Sequence, residues 1–173
     1  MKKMFLMASA VLAVSGSAAL AENTKVCFEA ETPGKIQTPL KKVTGKGAVV
    51  SGGGYLDIPW DQNKTKGIGS ATYTFKAPKA GSYILWARCF WANGCGNSIK
   101  ASVNGNEKTA KLLGEDGTYD AWHWVGGKAR VNLKQGDNTL VLYNSETGVQ
   151  TDQFFLCTDP DYTPVGIRKI TKW

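Results

Sequence analysis

Apolar residues recur at every second position through most of this 173-residue chain, in short runs closed off by Gly, Pro, Asn or Asp, and no long stretch keeps helical periodicity. Period two is the repeat of side chains on one face of a β-strand, so the pattern predicts an all-β fold. Strands are expected near residues 25–31, 47–50, 54–58, 69–77, 82–90, 97–104, 107–113, 121–125, 128–133, 138–145 and 151–157. Between them Pro78-Lys79-Ala80-Gly81, Asn104-Gly105-Asn106, Gly126-Gly127 and Gln135-Gly136-Asp137-Asn138 offer a preset or positive φ where the chain must reverse.

Strands this numerous at this spacing point to a two-sheet antiparallel β-sandwich, in which facing residues of the two sheets build the core. Tyr83, Leu85 and Ala87 alternate with Ile84, Trp86 and Arg88, and Leu140 and Leu142 alternate with Val141 and Tyr143. Alternation leaves open which set of each pair faces inward.

Lys2 and Lys3 precede an apolar stretch from Met4 to about Val14, and Ala19-Leu20-Ala21 stands before Glu22. That is the layout of a cleavable secretory signal over residues 1–21, with an apolar run too short to span a bilayer. A secreted or periplasmic protein is expected, with no membrane insertion. Without the leader, 152 residues remain, suited to one domain, with 19 basic against 14 acidic side chains, a formal +5 in place of +7. Cys27, Cys89, Cys95 and Cys157 all lie outside the leader. In an oxidising compartment an even count favours disulfides, in any of three connectivities. A zinc site, the rival, would want paired Cys or Cys/His spacing, whereas the sole histidine, His123, sits between Trp122 and Trp124. Residues 159–173, with Pro160, Pro164 and the basic run GIRKITK, read as a lightly ordered C-terminal basic extension.

FEAE at 28–31, GGGYLDI at 52–58, YTFKAPKAGSYILWAR at 73–88, SIKASVNG at 98–105, WHW at 122–124, LKQGDNTLVL at 133–142 and TDQFFLCTDPDYTPVG at 151–166 follow one another in an order with meaning. Together they resemble the carbohydrate-binding modules of families 6 and 35, which are β-sandwiches of the galactose-binding-domain-like, jelly-roll type. The resemblance covers residues 22–158 and implies a structural calcium held by Glu29, Glu31 and Asp152, with carbonyls from the glycine-rich segment 45–54. Hard oxygen donors of this kind suit calcium. The same topology, with Glu31 near Asp152 or Gln153, brings Cys27 to Cys157 and leaves Cys89 and Cys95 to staple the loop between them.

Sugars are held by stacking their apolar faces on aromatic rings while short polar groups bind their hydroxyls. Trp91, in a glycine-flanked loop past a strand end, is the first candidate platform. Trp122 and Trp124 project to one side of a strand, so one ring is expected at the core margin and one near the site. Asn93 is a loop amide suited to hydrogen bonding, and Trp60 is an outside candidate. The resemblance adds Tyr73 as a stacking ring, Trp122 or Trp124 as its partner, and Gln150 where relatives carry Asn; Thr72 stands where an acid commonly precedes that tyrosine.

An enzyme is not expected. A glycosidase needs two carboxyls across a sugar, and the acidic GEDGTYD segment at 114–120 has the composition of a solvated turn. No Gly-x-Ser-x-Gly elbow occurs. The function expected is a secreted, non-catalytic carbohydrate-binding protein with a structural calcium. Its partner is a polysaccharide or oligosaccharide, anionic uronates being compatible with the net charge and with Arg168, Lys169 and Lys172 of the tail, and not nucleic acid. The alternative is a structural or adhesive envelope protein using the sandwich as a scaffold, since surface tryptophans serve protein interfaces as readily as sugars.

Overall fold

A computed structural model describes residues 23–45, 49–60, 69–115 and 117–172. The leader expected at residues 1–21 lies outside the described residues. Eleven strands follow in order: β1 (Lys25–Glu29), β2 (Lys35–Ile36), β3 (Lys41–Thr44), β4 (Gly54–Ile58), β5 (Ser70–Ala77), β6 (Gly81–Phe90), β7 (Ser98–Val103), β8 (Lys111–Gly114), β9 (His123–Leu133), β10 (Gly136–Asn144) and β11 (Val149–Cys157). All pair antiparallel, in two sheets. The six-stranded sheet runs β3-β4-β11-β6-β9, with β1 also on β11, and the five-stranded sheet runs β2-β5-β10-β7-β8. The fold is the two-sheet antiparallel β-sandwich that the alternation predicts. Among the described residues, no helix is long and apolar enough to cross a membrane.

The inward set is now fixed. Tyr83, Leu85 and Ala87 of β6 meet Leu140 and Leu142 of β10 in one core with Phe28, Phe75 and Phe154. Ile84, Trp86 and Arg88 therefore lie on the outer face of the six-stranded sheet.

Three local readings change. The segment 47–50 is not a strand over its described part, because Val49 and Val50 form a turn and bend, while 46–48 lie outside the described residues. Residues 107–109 form a 3-10 turn capped by Asn106, whose side chain accepts from the Lys108 N–H. Gly126-Gly127 is a bulge inside one continuous β9 and not a turn: Leu85 pairs with Ala129, but Trp86 pairs with Gly126. Gly127 has φ +71°, and a Cβ there would lie 2.7 Å from the Trp86 ring.

The C-terminal segment is a docked strap, not a loose extension. Tyr162 stacks on Phe155 at 5.3 Å, and Trp124 Nε1 donates to the Gly166 carbonyl at 2.9 Å. The chain then returns, with Arg168 N–H donating to Gln153 Oε1 and the Thr171 N–H donating to the Cys27 carbonyl. The strap thereby seals a second apolar cluster of Cys27, Ile84, Phe155 and Cys157, bordered by Trp86, Trp124 and Ile170. It also occupies backbone groups of Cys27 on the open edge of β1, an edge that would otherwise invite pairing.

The two expected disulfides are absent: Cys27, Cys89, Cys95 and Cys157 are all free. The register explains why. Cys27 pairs with Phe155, and Cys157 pairs with Lys25, so the two cysteines are diagonal neighbours. Diagonal positions stand about 7–8 Å apart at Cα, beyond comfortable disulfide geometry. Cys89 is buried on the inner face with its sulfur 3.8 Å from Thr151 Oγ1, whereas Cys95 is exposed on the loop beyond β6.

A candidate glycan cleft and a neighbouring glutamate pair

The outer face of the six-stranded sheet is divided in two. The strap covers one half, and the other is open. Across the open half one register line joins four strands: Lys41 pairs with Asp57, Asp57 with Gln150, and Gln150 with Phe90. Trp122, just before β9, completes the line with its ring 5.6 Å from that of Phe90. Adjacent strands are about 4.8 Å apart, so the line crosses roughly 19 Å of sheet.

Two adjoining cavities lie along it. One of about 470 Å³ is lined by Lys41, Asp57, Trp60, Asn93 and Gln150, among others, and the second, of about 560 Å³, by Val49, Arg88, Asp120 and Trp122; Phe90 borders both. Trp60 is 53% exposed. It lies over Gly148, where a Cβ would come within 2.8 Å of the indole. Lys41 and Asp57 form an ion pair at 3.5 Å, yet burial still holds the Asp57 carboxyl above its usual range. Trp122 is wedged against Tyr55 at 5.8 Å and has the Arg88 guanidinium 5.3 Å from its ring centroid. Flat rings alternating with carboxylate, amide and ammonium groups can stack on sugar faces and bind hydroxyls.

Of the residues expected at the site, Trp122, Asn93 and Gln150 come together here, with Trp60. Asn93 also shapes its own loop, since its Oδ1 accepts the Cys95 N–H at 2.9 Å. Three others are elsewhere. Trp91 is wholly buried; its Nε1 donates to the Thr118 carbonyl and its ring meets His123 edge-on. It shares the parity of Tyr83, Leu85, Ala87 and Cys89, a signal present in the sequence. Tyr73 is in the core between the sheets, its hydroxyl donating to the Ala30 carbonyl at 2.8 Å. Trp124 is under the strap. Phe90, Asp57, Lys41, Tyr55 and Arg88 were not foreseen; parity opposite to Trp91 could have marked Phe90.

Beside the cleft, Glu29 Oε1 accepts the Ser51 hydroxyl at 2.6 Å, and Ser51 Oγ accepts from Gln153 Nε2 at 3.0 Å. Glu29 Oε2 and Glu31 Oε2 are buried with no hydrogen-bond partner. Gly52, at φ +57°, presses so closely on the Glu31 carboxylate that a Cβ would collide with it. Burial pushes the Glu31 carboxyl up to about 7, and the charges of Glu29 and Asp152 push the same way. Glu29 is raised too, chiefly by burial.

Asp152 differs from the two glutamates. It is fully buried, its Oδ1 accepting the Ser51 N–H at 2.8 Å and its Oδ2 paired with Arg88 Nη1 at 2.5 Å. Both its oxygens are thus engaged, and among the described residues no three His, Cys, Asp or Glu side chains are arranged to hold a metal. The expected three-carboxylate shell is not assembled. What fits a hard cation is the glutamate pair alone: two orphaned buried carboxylate oxygens beside a glycine turn rich in carbonyls.

No protein-family model and no curated protein matches the chain. Solved structures do. The chain is similar to a family 35 carbohydrate-binding module from Clostridium thermocellum, with 20% identity and a TM-score of 0.58 over 76% of this chain and 98% of that one. It is also similar to the C-terminal family 6 module of LamC, a marine laminarinase from Zobellia galactanivorans, at 20% identity and a TM-score of 0.55, covering 76% of this chain and 98% of that one. A Podospora anserina β-(1,4)-mannanase that carries a family 35 module matches at 21% identity and a TM-score of 0.58 over 84% of this chain. The chain spans only 29% of that mannanase, and 29% of the Phanerochaete chrysosporium exo-β-1,3-galactanase it also matches. The sandwich therefore has the fold of family 6 and family 35 carbohydrate-binding modules.

Proposed function

We propose that the protein is an exported, non-catalytic glycan-binding module that takes a polysaccharide or oligosaccharide in the cleft between Trp60 and Trp122. The observation that carries this reading is the register line of Lys41, Asp57, Gln150 and Phe90, flanked by Trp60 and Trp122 and open to solvent. The shared fold of carbohydrate-binding modules supports it. Lys41 and Arg88 beside the rings are each paired with an aspartate, so a preference for a ligand with some negative charge, such as a uronate, rests on the basic balance of the mature chain. A calcium ion on Glu29 and Glu31 would supply the positive charge that their buried oxygens lack, holding β1 to the Gly52 turn.

A glycan array probed with the mature chain tests the reading. Saturable binding is expected, weakened about tenfold or more by Trp60→Ala or Trp122→Ala, the loss typical of a central aromatic anchor. Trp91→Ala would lower stability and does not diagnose binding, because that ring is in the core. Silence across neutral and anionic glycans, or binding indifferent to both cleft tryptophans, would remove this cleft from consideration.

A further inference from the structure

One short turn, Val49 to Gly53, faces the glutamate pair at one end and the cleft at the other. At the glutamate end, Ser51 gives its hydroxyl to Glu29 and Gly52 closes on Glu31. At the cleft end, Val49 is 58% exposed and lines the same cavity as Trp122. Arg88 joins the two. Only 7% exposed, it donates from Nη1 both to the Val49 carbonyl at 3.0 Å and to Asp152, whose other oxygen holds the Ser51 N–H. The same guanidinium lies against the Trp122 ring.

We infer that Arg88 is the positioning residue of the cleft, setting the Val49 wall against the Trp122 ring, and that through it a cation on Glu29 and Glu31 orders the cleft. The inference rests on reading the glutamate pair as a cation site and the cleft as the glycan site. Its physical basis is one contiguous element held by both sites: carboxylate to Ser51, Ser51 to Asp152, Asp152 to Arg88, Arg88 to Val49 and Trp122. A planar guanidinium with fixed donor directions transmits orientation as well as charge, which an ammonium would not. Coupling of this kind is reciprocal, so a ligand that prefers the ordered cleft also strengthens cation binding.

The test uses calcium alone as the probe. The ¹⁵N-labelled mature chain is titrated with calcium chloride, while calorimetry follows metal binding and the Trp122 indole N–H resonance, identified by its loss in Trp122→Phe, follows the cleft. Wild-type protein is expected to bind calcium and to shift that resonance. Arg88→Met is expected to bind calcium and leave the resonance unmoved. Should Arg88→Met fail to fold, Ser51→Ala serves instead, because it keeps the backbone bond to Asp152 and removes the hydroxyl that links Glu29 to Gln153; its expected result is a reduced shift. Calcium binding by wild type with no Trp122 response overturns the inference and leaves the cation site standing. A response that survives in Arg88→Met overturns the role of Arg88, and one undiminished in Ser51→Ala overturns the path from the glutamates through Ser51. No heat of binding overturns the cation reading itself, while the glycan array judges the cleft independently.

Discussion

A thiol in an apolar interior is a poor acid, and three of the four cysteines sit in one. Burial pushes the Cys27 thiol up to about 12, with the Glu29 charge adding to it, and burial likewise pushes Cys89 up to about 12. Cys157 is raised by burial as well. A folded pKa above the unfolded value of 9.0 means that the fold favours the neutral thiol; that contribution is complete below pH 9.0 and disappears as pH climbs toward 12. Near neutral pH, a thiol-specific reagent should therefore label Cys95 alone in the folded, reduced protein and all four cysteines after denaturation. Peptide mapping reads this directly, and labelling of Cys27 or Cys89 as fast as Cys95 would contradict their burial. The same parity that buries Cys89 buries Trp91 and turns Phe90 outward. It was legible in the sequence, but a tryptophan among glycines reads as a loop platform when composition is weighed above parity.

At the scale of the element, alternation marked β5, β10 and the second half of β9 because each has one buried face, while β6 and β11 are buried on both faces over much of their length. It missed β2 and β3, which are two and four residues long, lysine-bearing and exposed or half-buried throughout. The strap escaped for another reason: its order comes from Phe155 on β11 and from Trp124 and Cys27, both distant in sequence, and a segment with no periodicity of its own gives no local sign of docking. The Gly126-Gly127 pair was legible as a backbone irregularity but not as a bulge, since only the register with β6 distinguishes a bulge from a reversal. This bulge makes a definite prediction. At φ +71° an L-residue is strained, and the Trp86 ring occupies the space a methyl would take. Gly127→Ala should cost about 1–3 kcal/mol, measured as a lower midpoint of chemical denaturation. A midpoint equal to wild type would show that β9 can rearrange around the bulge at no cost.

The molecule as a whole gathers charges that lie far apart along the chain. Resemblance placed Glu29, Glu31 and Asp152 in one neighbourhood, and the fold does so. That Asp152 faces an arginine could not be read, because the contact depends on a bulge in β11, where Thr151 pairs with Cys89 and Gln153 with Arg88, leaving Asp152 extra between them. The consequence is an asymmetric site: Asp152 is bonded to an arginine, whereas Glu31 has, among the described residues, only the positive charge of Lys42 nearby, with no ion pair formed. Without metal, Glu31 holds its proton more tightly in the folded chain, at about 7, than in the unfolded chain, at 4.5. Between those two values the folded state binds more protons than the unfolded state, so this group favours folding increasingly as pH falls from about 7 toward 4.5. In excess chelator the melting temperature should therefore carry a component that rises as pH is lowered through this window. Saturating calcium should flatten that component and raise the melting temperature most at neutral pH and above, where the carboxylates are free to accept it. Melting curves over this window, with chelator and with calcium, decide the matter. Identical pH profiles in both would mean that no cation neutralises Glu29 and Glu31, and that the Arg88–Asp152 pair holds the Gly52 turn to the last strand without one.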